Sequence, residues 1–293
     1  MDYNTDKFTK ELNDTLVSKL DNICEIQKDV LEILIGVLLS SDWNNQKDNH
    51  TVFLSLLAKI RFNVDACNQI VPSLKNDSRF KTSSNLIYRG IVDDIINIYY
   101  LLGYALFNEQ KYVSLGNELS ILHIEFLKSC ESIIRSETEF IEYMHNLYKK
   151  EINLMSISSV ETGIRNANSH LYNFNEKKWK TNKEIRKSSN SFFADLFPKE
   201  GAFITESKKI EFIKKRGLTR HPVLSYLFKY FSQYQHFSPK MHDFLLHHCE
   251  YDLDCYKIVL LEIVAVTFEV VNVINIQDKE YHLEKAMILM KTL

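Results

Sequence analysis

Ten residues of this chain, Gly163 to Tyr172 (GIRNANSHLY), bring together an arginine, an asparagine directly after it, a histidine and a tyrosine. Histidine is the one side chain whose unperturbed pKa allows proton exchange in both directions near neutrality. Arginine is a permanent cation whose fork of donors matches phosphate oxygens. Arg165 and His170 together suit metal-free cleavage of RNA: the imidazole takes the 2′-hydroxyl proton or protonates the leaving oxygen, and the guanidinium stabilises charge on the phosphorane. One histidine does not readily serve as base and acid in a single step, so a second copy of the motif, from another subunit, is expected to complete the site. Ser158 and Glu161 have capping-box spacing. They predict a helix from near Ser159 that carries the motif in its second and third turns, with Asn166 and His170 on one face and Arg165 about 100° round the axis.

The run Arg165-Asn166-Ala167-Asn168-Ser169-His170-Leu171-Tyr172 resembles the R-x4-6-H signature of the HEPN superfamily, including the Asn after the arginine and the His-x-Tyr ending of some HEPN toxins. The resemblance covers the ten-residue stretch alone. It implies an all-helical, metal-independent endoribonuclease that dimerises to build a composite site and acts in toxin-antitoxin, abortive-infection or CRISPR-linked defence systems. On this resemblance Arg165 and His170 are catalytic and Asn166 positions them. Tyr172 takes the place of a regulatory tyrosine modified by a nucleotidyltransferase antitoxin. The expected partners are RNA, with tRNA as one candidate, a second copy of the chain, and an antitoxin or other defence-system protein. The competing expectation is a non-catalytic helical binding or regulatory protein in which Arg165, Asn166 and His170 form a structural cluster. A second bare match, Arg216 to His221, has Gly217 after its arginine and Pro222 after its histidine, and is taken as a helix end.

Other residues could support such chemistry. From Glu176 to Arg220 there are 13 Lys and Arg against 6 Asp and Glu in a chain whose net charge is −2. Lys177, Lys178 and Lys180 around Trp179 suit a phosphate track with a stacking ring, although a tryptophan anchoring a loop is the commoner use. Arg89 and Asp93 are i, i+4 in an apolar helix, either as a simple ion pair or as a support for the motif. Tyr230, Ser232 and His236 form Y-x-S-x-x-x-H. This portion is similar to an uncharacterised bacterial helical family in which such a helix precedes the C-terminal helices, with the Arg89 helix as its other landmark. No acid stands at relay spacing to make Ser232 and His236 a nucleophile pair, so a hydrogen bond between them is expected. His242, His247, His248 and Cys249 crowd together, but His247 and His248 point to different helix faces, so no zinc site is expected. No phosphate-binding loop, dinucleotide fingerprint or H-E-x-x-H motif occurs, and no cofactor is expected.

These residues need a helical scaffold. Seven Gly and four Pro in 293 residues leave little punctuation for tight turns, and long runs rich in Leu, Ile, Lys and Glu predict an all-α fold with little or no sheet. The expected architecture is a HEPN-like bundle with additional N- and C-terminal helices: an N-terminal helical segment over 1–72, the bundle with the motif over 83–190, and a C-terminal helical layer over 191–293, packed as one compact body. Asn4 to Leu39 is expected as two helices or one broken near Asp21. A long helix is expected from Ser83 to about Phe107, and another from Gly116 to about Leu154. Five cysteines without a C-x-x-C pair fit neither a disulfide framework nor a usual zinc site and point to a reducing cytoplasm. With no apolar segment behind a basic start in MDYNTDKFTKEL, no secretion signal is expected, and Ile258 to Ile276, interrupted by Glu262 and Glu269, is expected as a buried helix, not a membrane span.

Overall fold

The computed structural model describes residues 14–47, 49–77, 80–105, 115–148, 157–186, 204–235 and 250–292. They form an essentially all-α protein. In chain order the helices are α1 (Asp14–Ser40), α2 (Thr51–Ile70), a 3-10 turn (Val71–Lys75), α3 (Phe80–Ala105), α4 (Leu115–Tyr148) and α5 (Ile157–Ala167). A two-residue hairpin follows, β1 (Tyr172–Asn173) with β2 (Lys178–Trp179), and then α6 (Asn182–Arg186), α7 (Glu206–Lys215), α8 (His221–Ser232), α9 (Glu250–Val273) and α10 (Lys279–Thr292).

The helix boundaries follow local chemistry. α1 runs through Asp21 without a break, because Leu16, Leu20, Ile23, Val30, Leu34 and Val37 keep one buried stripe across that point. At its end Trp43 Nε1 donates to Leu38 O (3.1 Å), so the tryptophan closes the helix terminus. α2 stops before Pro72, and the proline is absorbed in the 3-10 turn. α3 begins three residues before the Ser83 start signal. Gly217, at φ 75°, turns the chain between α7 and α8, which makes the Arg216–His221 match a helix junction.

By contacts, the chain divides into Met1–Leu106 with Thr205–Leu293, and Phe107–Ile204. This differs from the expected division, which put α3, α4 and α5 into one bundle over 83–190. α3 is buried on nearly every side, from Tyr88 and Ile91 through Val92, Ile95, Ile96 and Tyr99, so it needs neighbours all round. In the first unit α2, the 3-10 turn, α7, α8 and α9 supply them. The ring of Tyr88 stacks on Tyr256 of α9 (centroids 4.1 Å apart), Phe231 of α8 lies alongside, and Gln27 Nε2 of α1 donates to the Tyr88 hydroxyl (2.8 Å). α9 is the buried helix expected at Ile258–Ile276, and no described helix is long and apolar enough to cross a membrane. The second unit is smaller: α4, α5 laid along it, the hairpin and α6 around a core of Ile124, Leu127, Leu171, Tyr172 and Trp179.

Candidate functional site

α5 ends at Ala167, one turn short of the expected length, and His170 lies in the turn beyond it. Asn168 is the cause. Its side-chain Nδ2 donates to Ile164 O (2.9 Å), a carbonyl that already receives the Asn168 backbone N–H (3.1 Å), and the next N–H, of Ser169, turns back to Asn166 O (3.3 Å). Polar side chains that recapture the backbone in this way end helices. The expectation that Asn166 and His170 share a helix face is therefore corrected. Asn166 is exposed on the last turn, and His170 is exposed in the turn.

Arg165 points into an ion-pair chain that runs between α5 and α4. Its Nε donates to Glu131 Oε1 (2.9 Å) and its Nη2 to Glu161 Oε2 (3.2 Å). The other Glu161 oxygen accepts from Arg135 Nε (3.0 Å), and the other Glu131 oxygen accepts from Trp179 Nε1 (3.3 Å). The guanidinium also lies over the Tyr172 ring, 5.4 Å from its centroid. Burial alone would lower the Arg165 pKa, but Glu131, Tyr172 and Glu161 outweigh it and hold the group above its ordinary value. The order along the chain alternates in sign: Arg135, Glu161, Arg165, Glu131.

Trp179 and Tyr172 pair across the hairpin, with their rings edge to face at 5.0 Å, and each is 7% exposed. Trp179 is thus an anchor that ties the hairpin to α4 through Glu131, and its ring has no open face for a base. Tyr172 is likewise covered, which counts against it as a target for modification. The lysines around them are different. Lys177, at φ 51°, forms the hairpin turn, where Asn173 Oδ1 accepts the N–H groups of Asn175 and Glu176. Lys177 and Lys178 are exposed, the latter paired with Glu176 at the rim, and Lys180 Nζ donates to the carbonyl of His170 (2.7 Å). The imidazole of His170 makes no hydrogen bond among the described residues. It therefore stands in solvent beside the lysine-bearing hairpin, with the ion-pair chain behind it.

The first unit gathers the other predicted residues. Arg89, 5% exposed, stacks on Phe228 (4.1 Å), pairs with Asp93, and donates through Nε to Ser232 Oγ (3.1 Å). Ser232 Oγ in turn donates to Phe228 O (2.6 Å), so its proton is committed to the backbone and it is not poised as a nucleophile. Burial pushes the Asp93 carboxyl up, against the opposing pull of Arg89. One turn away Asp252 Oδ1 accepts from Asn85 Nδ2 (2.8 Å), Tyr230 OH (2.8 Å) and Tyr234 OH (2.9 Å). Asn97 Oδ1 accepts from Lys209 Nζ (2.8 Å). Lys81, Asn85, Arg89, Asp93 and Asn97 recur every four residues along α3, so this is one polar seam threaded through the core and satisfied largely from within. His236, like His242, His247, His248 and Cys249, lies outside the described residues. Among the described residues no group of three or more His, Cys, Asp or Glu could hold a metal.

Sequence reasoning missed Glu131, Arg135 and Asp252, and read Glu161 only as a helix cap. The spacing of Glu161 to Arg165 was a legible signal for one of these contacts. The others join residues far apart in the chain and leave no local trace. No protein-family model, curated protein or solved structure matches this chain.

Proposed function

We propose that this chain is a metal-independent endoribonuclease of HEPN type that acts in bacterial defence or as a toxin, with His170 as its acid-base group. The observation that carries this reading is the exposed His170 imidazole just past the end of α5, adjoining a hairpin whose Lys177, Lys178 and Lys180 can follow a phosphate backbone. In this reading an RNA phosphate competes with Glu161 for the Nη2 edge of Arg165, while Glu131 keeps hold of Nε and fixes the plane of the guanidinium. Asn166, exposed on the last turn of α5, orients the substrate. A second copy of the chain supplies the second imidazole, so that base and acid stand on opposite sides of the phosphate.

One observation favours a second reading. Two carboxylates already bind Arg165, so the cluster also suits a non-catalytic binding or regulatory protein in which the arginine only holds α5 against α4. The two readings separate in one experiment. Purified protein, Arg165→Ala and His170→Ala are incubated with labelled tRNA and total RNA in EDTA, with circular dichroism as the check on folding. Cleavage by the wild type that His170→Ala abolishes while staying folded supports the enzyme. An inert wild type, with no difference from folded His170→Ala, supports the structural reading.

A further inference from the structure

The face of α4 turned away from α5 carries an exposed apolar stripe. Phe126, Ile133, Phe140 and Leu147 are spaced seven apart and are 61%, 64%, 59% and 53% exposed. Tyr143 and Tyr148 add exposed rings at its C-terminal end. At about 100° per residue, Phe126 is roughly 140° from Glu131, which faces α5, so the stripe lies across the helix from everything α5 touches. A seven-residue repeat drifts by only about 20° per heptad, so the four side chains hold one face over three heptads. Together they expose on the order of several hundred Å², the size of patch that marks an interaction site. A repeat of seven is the pattern by which one helix seats another.

Charge and side-chain size decide what seats on it. On one edge Glu125 and Glu139 stand one residue before Phe126 and Phe140, and on the other edge Glu137 follows Ile133 by one turn. Glu137 and Glu139 are exposed, and Glu125 accepts a hydrogen bond from the Ile204 N–H (3.3 Å). No lysine or arginine occupies either edge: Lys128 and Arg135 each follow a stripe residue by two and so stand roughly 160° round the axis. The second column of the seam, three residues after each stripe position, holds the exposed Ser129 and Ser136 before Tyr143. A second copy of α4 is therefore a poor occupant. It brings the same carboxylates with no cation to meet them, and in a parallel pairing it sets serine against serine in two layers of the seam. The geometry points to a docking site for a basic amphipathic helix of another protein, with large apolar side chains over Phe126, Ile133, Phe140, Leu147 and the two serines, and lysines or arginines against Glu137 and Glu139. This does not depend on the ribonuclease reading, because Arg165 and His170 lie on the α5 side of α4.

The test uses the full chain and two labelled synthetic helices of three heptads, identical in their leucine face, one flanked by lysine and one by glutamate. Binding is read by fluorescence anisotropy. The lysine peptide is expected to bind at least about tenfold more tightly than the glutamate peptide, with a preference that fades as salt is added. Ile133→Glu with Phe140→Glu, both at exposed positions, should abolish binding without changing the helical dichroism. Glu137→Lys with Glu139→Lys should reverse the preference. Equal binding of the two peptides, no binding of either, or a wild-type dimer that Ile133→Glu with Phe140→Glu converts to monomer would each overturn the proposal, the last by making the stripe a self-interface.

Discussion

Arg165 and His170 sit five positions apart, yet the structure gives them unequal burdens. The Arg165 guanidinium is bonded to two carboxylates whose side chains are 10% and 14% exposed, and it roofs the Tyr172 ring. Removing it leaves the buried Glu131 without its cation and Glu161 with Arg135 alone, so Arg165→Ala should cost about 1–3 kcal/mol of folding stability. Lysine cannot restore both contacts, since one ammonium does not reproduce the two-edged fork. His170 is exposed and its imidazole is unbonded among the described residues, so His170→Ala should change stability by less than about 0.5 kcal/mol. Urea melts of the two variants measure this difference directly. Equal losses would mean that His170 also holds the fold together, and equal stability would mean that the ion-pair chain contributes nothing.

At the scale of elements, the seating of α7 on α3 depends on a missing side chain. A Cβ built at Gly103 would lie 2.6 Å from Phe212 Cε1, closer than packed atoms come. That ring cannot easily yield: it is fully buried, stacked on Tyr104 at 4.9 Å and edge to face with Tyr100 at 5.1 Å. Gly103→Ala should therefore destabilise the protein by about 1–3 kcal/mol, although alanine is the better helix former. Phe212→Leu removes the offending edge, so the double variant should recover part of the loss contributed by Gly103→Ala. A double-mutant cycle in denaturant measures the coupling, and simple additivity of the two changes would show that the contact is not the cause.

Across the molecule as a whole, stability should depend on pH in a way set by buried acids of the larger unit. Burial raises the pKa of Glu262, Asp93 and Asp94, against the opposing pull of Arg220, Arg89 and Lys59 respectively. Each group binds its proton more tightly in the folded than in the unfolded chain. Their contribution to stability is thus fully present below the ordinary carboxylate range and is lost as pH rises through the raised values. Glu262 is the clearest case: it is 2% exposed, and its Oε2 has no partner among the described residues. Glu262→Gln cannot ionise, so it should flatten the fall in stability over the pH interval just above the usual glutamate pKa, whatever it costs in contact with Arg220. Urea melts from about pH 4 to about pH 7 test this, and an unchanged slope would show that Glu262 ionises as easily folded as unfolded.

The sequence alone determined the helical class, because scarce glycine and proline and repeated apolar spacing are local properties of the chain. It also determined contacts one turn apart: Arg89 with Asp93 is bonded as its i, i+4 spacing suggested, and Glu161 with Arg165 was legible in the same way. Tertiary structure decided the rest. Arg165 finds Glu131 across 34 residues, Trp179 finds it across 48, Arg89 finds Ser232 across 143, and Asn85 finds Asp252 across 167. None of these pairs has a spacing that selects it, because which helix faces meet is settled by how the whole apolar surface is buried. The same reason explains two outcomes. Trp179 among its lysines suited either a stacking platform or a loop anchor, and packing against α4 made it the anchor. α3 looked like part of the motif's bundle, and burial on all sides drew it into the other unit.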